Sequence, residues 1–252
     1  MVLRLACAVA LMLPLAAGAQ SAADHVSLGD QAQASANAPA ALQHFQTALK
    51  IDSTDYAANW KAAVAAVMVG EFMADKTQQK SLYHEAEGYA RAAVKANPND
   101  AEGHFALALA LGRTAQSLGS RDRVKYAGEV REHALAALKV DSTHAGALHI
   151  MGMWNAEIMR LSGVSRFFAK NVLGGKTFGQ ANWKDAERYL EEAVQQEPDR
   201  ITHRLDLGRV YADAGDKAKA REQLELVTKA TPSEYNDANY KKAAEEALAR
   251  LK

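Results

Sequence analysis

The clearest pattern of small, apolar and polar positions lies between residues 199 and 232. Small or apolar residues recur there at intervals of three and four, namely at Leu207, Gly208, Tyr211, Ala220, Leu224 and Val227. This spacing is typical of two amphipathic helices, the first ended by Gly215 and the second by Pro232. We therefore predict two antiparallel helices, with Asp199 capping the exposed N–H groups of the first.

The order of small and large residues in this stretch indicates how the two helices pack. Gly208 and Ala220 are small enough to let the helices approach closely. Leu207, Tyr211 and Leu224 then fill the space between them. A helix pair of 34 residues with this order is typical of a tetratricopeptide repeat. The sequence therefore predicts an all-α fold, built as a tetratricopeptide helical-hairpin solenoid.

The same pattern can be followed back toward the N-terminus. Gly29 and Gly152 occupy the position of Gly208, and the segment ALKIDST at residues 48–54 returns as ALKVDST at residues 137–143. We predict five helix pairs and a C-terminal capping helix, at approximately residues 22–53, 55–98, 99–142, 143–198, 199–232 and 236–252.

The middle pairs are longer than the pair at the C-terminus. We interpret the excess as lengthened helices, because residues 71–80 and 116–125 contain few turn-forming residues. A longer loop is the alternative interpretation.

The largest insertion, residues 161–182, mixes basic and aromatic side chains. Such a mixture suits a segment that lies at a membrane surface or against a partner. The candidates for that contact are Arg166, Phe167, Phe168 and Lys170. The alternative is that both phenylalanines fold inward as cover for the fourth helix pair.

The N-terminal residues 1–19 have the organisation of an export signal. Arg4 precedes an apolar run at residues 5–15, which is short for a membrane span, and small residues follow it. We expect cleavage to leave residues 20–252 as the repeat domain, in the periplasm or outside the cell; a retained anchor is the alternative. Because the only cysteine, Cys7, lies in this segment, the exported chain has no disulfide and no thiol nucleophile.

Charge and composition narrow the class of function. Lysine plus arginine and aspartate plus glutamate both number 30, and removal of residues 1–19, whose one charge is Arg4, leaves 29 against 30. This balance gives no support to nucleic-acid binding, which needs a basic surface. A hydrophobic content of 48% with 24% charged residues is typical of a packed domain.

The fourth and fifth pairs resemble a known family. The resemblance covers roughly residues 80–245 and rests on LHIMGMW at residues 148–154, Arg166, Ala169-Lys170, the small positions of residues 186–193, and Pro198. These residues resemble the regulator of microtubule dynamics family of tetratricopeptide proteins. Because a eukaryotic member tethers membranes and can carry phospholipid, the resemblance implies a scaffold of long helices and a groove that accommodates lipid. The export signal departs from the setting of the eukaryotic members, so a microtubule role is not carried over.

The first helices of the pairs are expected to line a concave groove. Its predicted residues are Trp60, Val64, Met68, Phe105, Leu109, Arg113, His149, Met153, Glu157, Leu205 and Arg209. Their apolar character suits an amphipathic helix or protein segment, or alternatively an acyl chain with Arg113 or Arg209 near its head group. A further alternative is that the long helices close the superhelix and bury these residues.

Motifs for catalysis or metal binding are weak. His149 and Met153 share a helix face, but methionine commonly fills gaps in a core, and we predict no metal or cofactor. The sequence GGKT at residues 174–177 lacks the upstream glycine of a phosphate-binding loop. We therefore predict a non-enzymatic scaffold or adaptor that binds a protein segment, with a lipid-binding or lipid-transfer protein as the alternative.

Overall fold

The computed structural model describes residues 20–118, 120–161 and 178–251. Across these ranges the chain forms eleven α-helices, one short 3₁₀ turn at Phe178–Gln180 and no strand, which confirms the predicted all-α class. The helices are α1 Ala22–Ala34, α2 Ala38–Ile51, α3 Tyr56–Gly70, α4 Lys76–Ala96, α5 Ala101–Gln116, α6 Ser120–Val140, α7 Ala145–Arg160, α8 Trp183–Gln196, α9 Ile201–Ala214, α10 Lys217–Lys229 and α11 Asp237–Arg250.

Two sequence predictions concern residues outside the described ranges. The export signal at residues 1–19 lies outside the described residues, as do Arg166, Phe167, Phe168 and Lys170. Within the described ranges, none of the helices combines the length and the apolar character needed to cross a membrane.

Close helix approach at small residues is confirmed. Successive helices pack most extensively in the pairs α1–α2, α3–α4, α5–α6, α7–α8 and α9–α10. A Cβ atom on Gly208 would lie 2.8 Å from Cγ of Leu224, and one on Gly152 would lie 2.6 Å from Cγ of Leu190. In the first pair, a Cβ on Gly29 would overlap the ring of Phe45. The glycine is thus the contact point between the helices in each of these three pairs.

The excess length of the middle pairs is mainly helical. Both α4 and α6 contain 21 residues, whereas α2 contains 14. The interpretation of residues 71–80 as helix is wrong for their first half, because α3 ends at Gly70 and α4 begins only at Lys76. The five intervening residues form a turn, which we call the α3–α4 turn, and Asp75 at its end caps α4.

The predicted cap at Asp199 is also wrong. The N–H of Arg200 donates to the carbonyl of Glu197, at 3.2 Å, so the preceding turn continues one residue beyond Asp199. Helix α9 therefore begins at Ile201, and Arg200 occupies the cap position without a side-chain hydrogen bond. A capping carboxylate has to stand directly before the helix, and Asp199 stands one residue too early.

The superhelix brings its last helix back against the second pair. Nδ2 of Asn236 donates to the carbonyl of Met68, at 2.8 Å, and the hydroxyl of Tyr240 donates to Oε2 of Glu71, at 2.5 Å. The rings of Phe72 and Tyr240 meet edge to face, with centroids 5.4 Å apart. These contacts join residues more than 160 positions apart, and we call them the ring contact.

Candidate functional site: a concave cavity

The ring contact leaves an open cavity of about 810 Å³ on the inner face of the superhelix. We call it the concave cavity. Its walls come from the α3–α4 turn, the start of α4, the ends of α5 and α7, the inner side of α9, the start of α10 and the length of α11. The space therefore exists only because the C-terminal helices return to face the earlier pairs.

The predicted groove residues divide among four spaces. One is an apolar-lined pocket of about 130 Å³ beneath α5, α6 and α7, whose walls include Leu109, Arg113, His149, Met153 and Glu157. Those that line the concave cavity are Arg113, Met153, Glu157, Leu205 and Arg209. Those that line a narrow cleft of about 60 Å³ are Val64, Met68, Phe105, Leu109, Arg113 and His149. The cleft is closed on its other side by residues of the C-terminal pair and helix, including His203 and Tyr240. Trp60 and Met68 also line a separate pocket of about 430 Å³ between α1, α3 and residues 233–235.

The apolar members of the predicted groove are mostly packing residues. Val64 is 5% exposed, Phe105 8% and Leu205 1%. The ring of Phe105 lies against the backbone of Gly146, where an added Cβ would overlap it. The concave cavity is consequently lined mainly by charged and polar side chains, while Trp60, Met68, Leu109 and Met153 keep partly exposed apolar surface.

The carboxylates at one end of the concave cavity are held in ion pairs. Oε1 of Glu71 accepts from Nη2 of Arg113, at 2.6 Å, while its other oxygen accepts from Tyr240. Burial, followed by the charge of Glu71, raises the pKa of the Tyr240 hydroxyl well above its ordinary value. Glu71 therefore joins α5, α11 and the α3–α4 turn.

A second set of ion pairs lies on α7 and α9. Arg160 reaches both Glu157, at 2.7 Å, and Asp213, at 2.5 Å. Asp206 pairs with Arg209 at 3.1 Å. Burial alone would raise the pKa of Asp206, but a hydrogen bond from His149 and the charges of Arg209 and Arg113 outweigh it. The pKa of Asp206 consequently lies well below its ordinary value.

Asp206 is also the first member of a chain of hydrogen-bonding groups between α7 and α9. Its Oδ2 lies 3.3 Å from Nε2 of His149, whose Nδ1 lies 2.8 Å from Nδ1 of His203. Nε2 of His203 lies 3.0 Å from Oε2 of Glu197. The ring nitrogens of the two histidines thus connect the carboxylates of Asp206 and Glu197.

The more buried of the two rings in this chain is that of His203. His203 is 2% exposed, and burial first, then the charges of His149 and Arg200, lower its pKa to about 4 against the opposing hydrogen bond to Glu197. We accordingly assign the neutral ring to His203, while the ring of His149 faces Asp206. The arrangement ties the fourth pair to the fifth.

Comparison of the whole sequence with known protein families identifies the family of this chain. The sequence model described as "Regulator of microtubule dynamics protein 1-3" matches residues 21–252, a longer span than the predicted resemblance of roughly residues 80–245. The chain belongs to the regulator of microtubule dynamics family.

Individual members of the regulator of microtubule dynamics family are distant in sequence. Regulator of microtubule dynamics protein 1 of Bos taurus is 25% identical over 171 residues, which are 67% of this chain and 53% of that protein. Regulator of microtubule dynamics protein 3 of Rattus norvegicus is 22% identical over 188 residues, 74% of this chain and 40% of that protein. The chain thus spans about half the length of the curated relatives it matches.

A solved structure shows the same fold. A thermophilic tetratricopeptide repeat protein of Thermus thermophilus is 21% identical, with a TM-score of 0.62 over 88% of this chain and 98% of that one. This likeness confirms the tetratricopeptide solenoid predicted from the helix pairs.

Proposed function

We propose that this member of the regulator of microtubule dynamics family is a non-enzymatic scaffold that binds a segment of a partner protein in the concave cavity. The observation that carries the proposal is the cavity itself, an open space of about 810 Å³ on the inner face of a tetratricopeptide solenoid. Pockets of about 300–1,000 Å³ bury most of a small ligand, so this space holds several side chains rather than a folded domain.

The walls of the concave cavity suit a peptide. Charged groups are set around accessible apolar surface contributed by Phe72, Met153 and Ala243. A bound segment would bury apolar side chains against that surface and make polar contacts with the surrounding charges, which is the usual division of labour in an interface. The cavity lies between first helices and α11, so a segment would contact several pairs at once.

The non-enzymatic assignment is supported by the state of the acidic groups. A general acid or base works best when its pKa lies near the ambient pH. The pKa of Asp206 is instead held low, and Glu71, Glu157 and Asp213 are tied to arginines. We therefore assign the acidic groups of the described cavity walls to binding and orienting a ligand and not to acid–base catalysis.

The phospholipid alternative lacks a comparable space. The apolar-lined pocket beneath α5, α6 and α7 has a volume of about 130 Å³, and Trp154 and Ile158 form part of its wall. This volume is well below that of the charged cavity, and we therefore prefer a protein ligand. With residues 1–19 acting as the predicted export signal, the partner would be a periplasmic or extracellular protein.

The proposal can be tested by filling the cavity. Ala212 lines it, whereas Ala218, six residues later, is exposed and lies outside its lining. Peptides of about 12 residues, long enough to contact several side chains of the cavity, would be selected from a random phage-displayed library on protein purified from cells that express the full chain. We expect Ala212→Trp to abolish binding of the selected peptide in calorimetry, and Ala218→Trp to leave it unchanged.

Two results would contradict the proposed function. One is a library that yields no binding peptide. The other is a peptide that binds the Ala212→Trp variant as tightly as the unaltered protein, with both proteins showing the same helical circular dichroism.

A further inference from the structure

We infer that the segment bound in the concave cavity is acidic, an inference that rests on the proposed function and specifies the chemistry of its partner. The preference for an acidic segment depends on which charges along the cavity already have a partner within the protein. All charged side chains among its described lining residues can be accounted for: six cations and five carboxylates.

Four of the five carboxylates are already compensated. Glu71 pairs with Arg113, Asp206 with Arg209, and both Glu157 and Asp213 with Arg160. These pairs use three of the six cations. A basic ligand would have to break them, because only Glu246 among the described carboxylates of the lining is without a cation partner.

The remaining three cations have no carboxylate partner in the described part of the chain. Nζ of Lys76 contacts only neutral acceptors, Oε1 of Gln79 at 3.1 Å and the carbonyl of Met73 at 3.4 Å. Lys217 opens α10 and Arg250 ends α11, and both are exposed at the cavity. Because Arg160 pairs with two carboxylates, the lining carries a net charge of +1, and these three cations are the unpaired ones.

This excess of positive charge is a local property. The chain as a whole carries equal numbers of acidic and basic residues, 30 of each. The unpaired cations and the net positive charge of the lining attract ligands of the opposite sign and speed their association. The guanidinium of Arg250 can in addition bind the carboxylate of an Asp or Glu side chain through two parallel hydrogen bonds.

The test compares two double charge reversals that change the net charge equally. Lys217→Glu with Arg250→Glu removes two of the three unmatched cations from the cavity. Lys95→Glu with Lys139→Glu makes the same change at exposed sites near the ends of α4 and α6, away from the cavity lining. Both variants and the unaltered protein would be titrated with the best peptide from the phage-displayed selection.

We expect the selected peptides to carry net negative charge. The Lys217→Glu/Arg250→Glu variant should bind the best of them about tenfold more weakly, as the loss of two partly exposed charge pairs implies. The control variant should bind it within about twofold, since charges beyond a Debye length of roughly 8–10 Å are screened. Raising the salt concentration should weaken binding to the unaltered protein.

Each other outcome has a definite meaning. Selected peptides without an acidic bias, or equal losses in the two variants, would overturn this inference while leaving the proposed function in place. No selected peptide at all would overturn the proposed function together with it. Co-sedimentation with phosphatidylglycerol vesicles that depends on Lys217 and Arg250, without any acidic peptide, would replace the protein segment by an anionic membrane surface.

Discussion

Replacement of Glu71 by alanine tests whether the ring contact stabilises the superhelix. The side chain of Glu71 is 14% exposed and that of its partner Arg113 is 25% exposed. The change removes a charge-assisted hydrogen bond from Arg113 and another from Tyr240, each worth about 1.5–3 kcal/mol when the groups are buried. It also leaves the arginine without its carboxylate, and breaking a fully buried pair costs about 3–5 kcal/mol.

Because both partners of that pair retain some exposure, we expect the lower part of this range. Glu71→Ala should lower the free energy of unfolding by about 2–4 kcal/mol. Tyr240→Phe, which removes one hydrogen bond to the same carboxylate, should cost about 1–2 kcal/mol. The double variant should then cost less than the sum of the two, because both changes remove the same contact.

The assay is urea unfolding followed by circular dichroism, with Glu85→Ala as the control. Glu85 is an exposed residue of α4, and its removal should change stability by less than about 0.5 kcal/mol. A Glu71→Ala variant as stable as this control would refute the reasoning. So would strict additivity of Glu71→Ala and Tyr240→Phe, since it would show that the two residues do not interact in solution.

Two further predictions concern the fold. The pKa of His203 falls from 6.5 to about 4 on folding, so between these pH values the unfolded chain binds more protons than the folded one. Up to about 3 kcal/mol of the free energy of unfolding should therefore be lost as the pH falls from 6.5 to 4. Thermal melting at several pH values should show that His203→Gln flattens this dependence. Gly152→Ala should cost about 1–3 kcal/mol against Leu190, whereas Gly88→Ala, with open space around it, should stabilise α4 by up to about 1 kcal/mol in urea titrations.

The parts of the fold that depend on neighbouring helices could be predicted from the sequence. Gly208 meets Leu224 as the spacing of small and large residues indicated, and Gly152 meets Leu190 in the same way. These contacts form between helices joined by nearby turns, so their residue types follow from local packing. The length of α4, which exceeds that of α2, could be predicted from the scarcity of turn-forming residues before Asn97.

The ring contact could not be predicted in detail. Curvature accumulates through small rotations between successive pairs, and no local pattern fixes their sum. Asn236 and Tyr240 therefore gave no signal that they meet Met68 and Glu71, and closure was only one of the alternatives. Phe105 is buried against Gly146 of the adjacent pair, whereas the charged cavity forms only where α11 faces the earlier pairs.

The contact between His149 and His203 left only a weak signal in the sequence. His149 and His203 stand three and five residues before Gly152 and Gly208, which occupy equivalent positions in consecutive first helices. The two positions differ by two residues, so a comparison between repeats places the histidines on neighbouring first helices but not opposite each other. Inspection of one helix at a time associated His149 with Met153 instead.

Photo-crosslinking tests most directly the central claim that the concave cavity binds a protein segment. A selected peptide that carries a photoreactive group would be crosslinked to the protein, and the modified residues would be located by mass spectrometry. The account predicts crosslinks to the cavity walls on α5, α7, α9 and α11, with Met153 and Ala243 among the expected sites. Crosslinks confined to the outer faces of α2, α4 and α6 would contradict it.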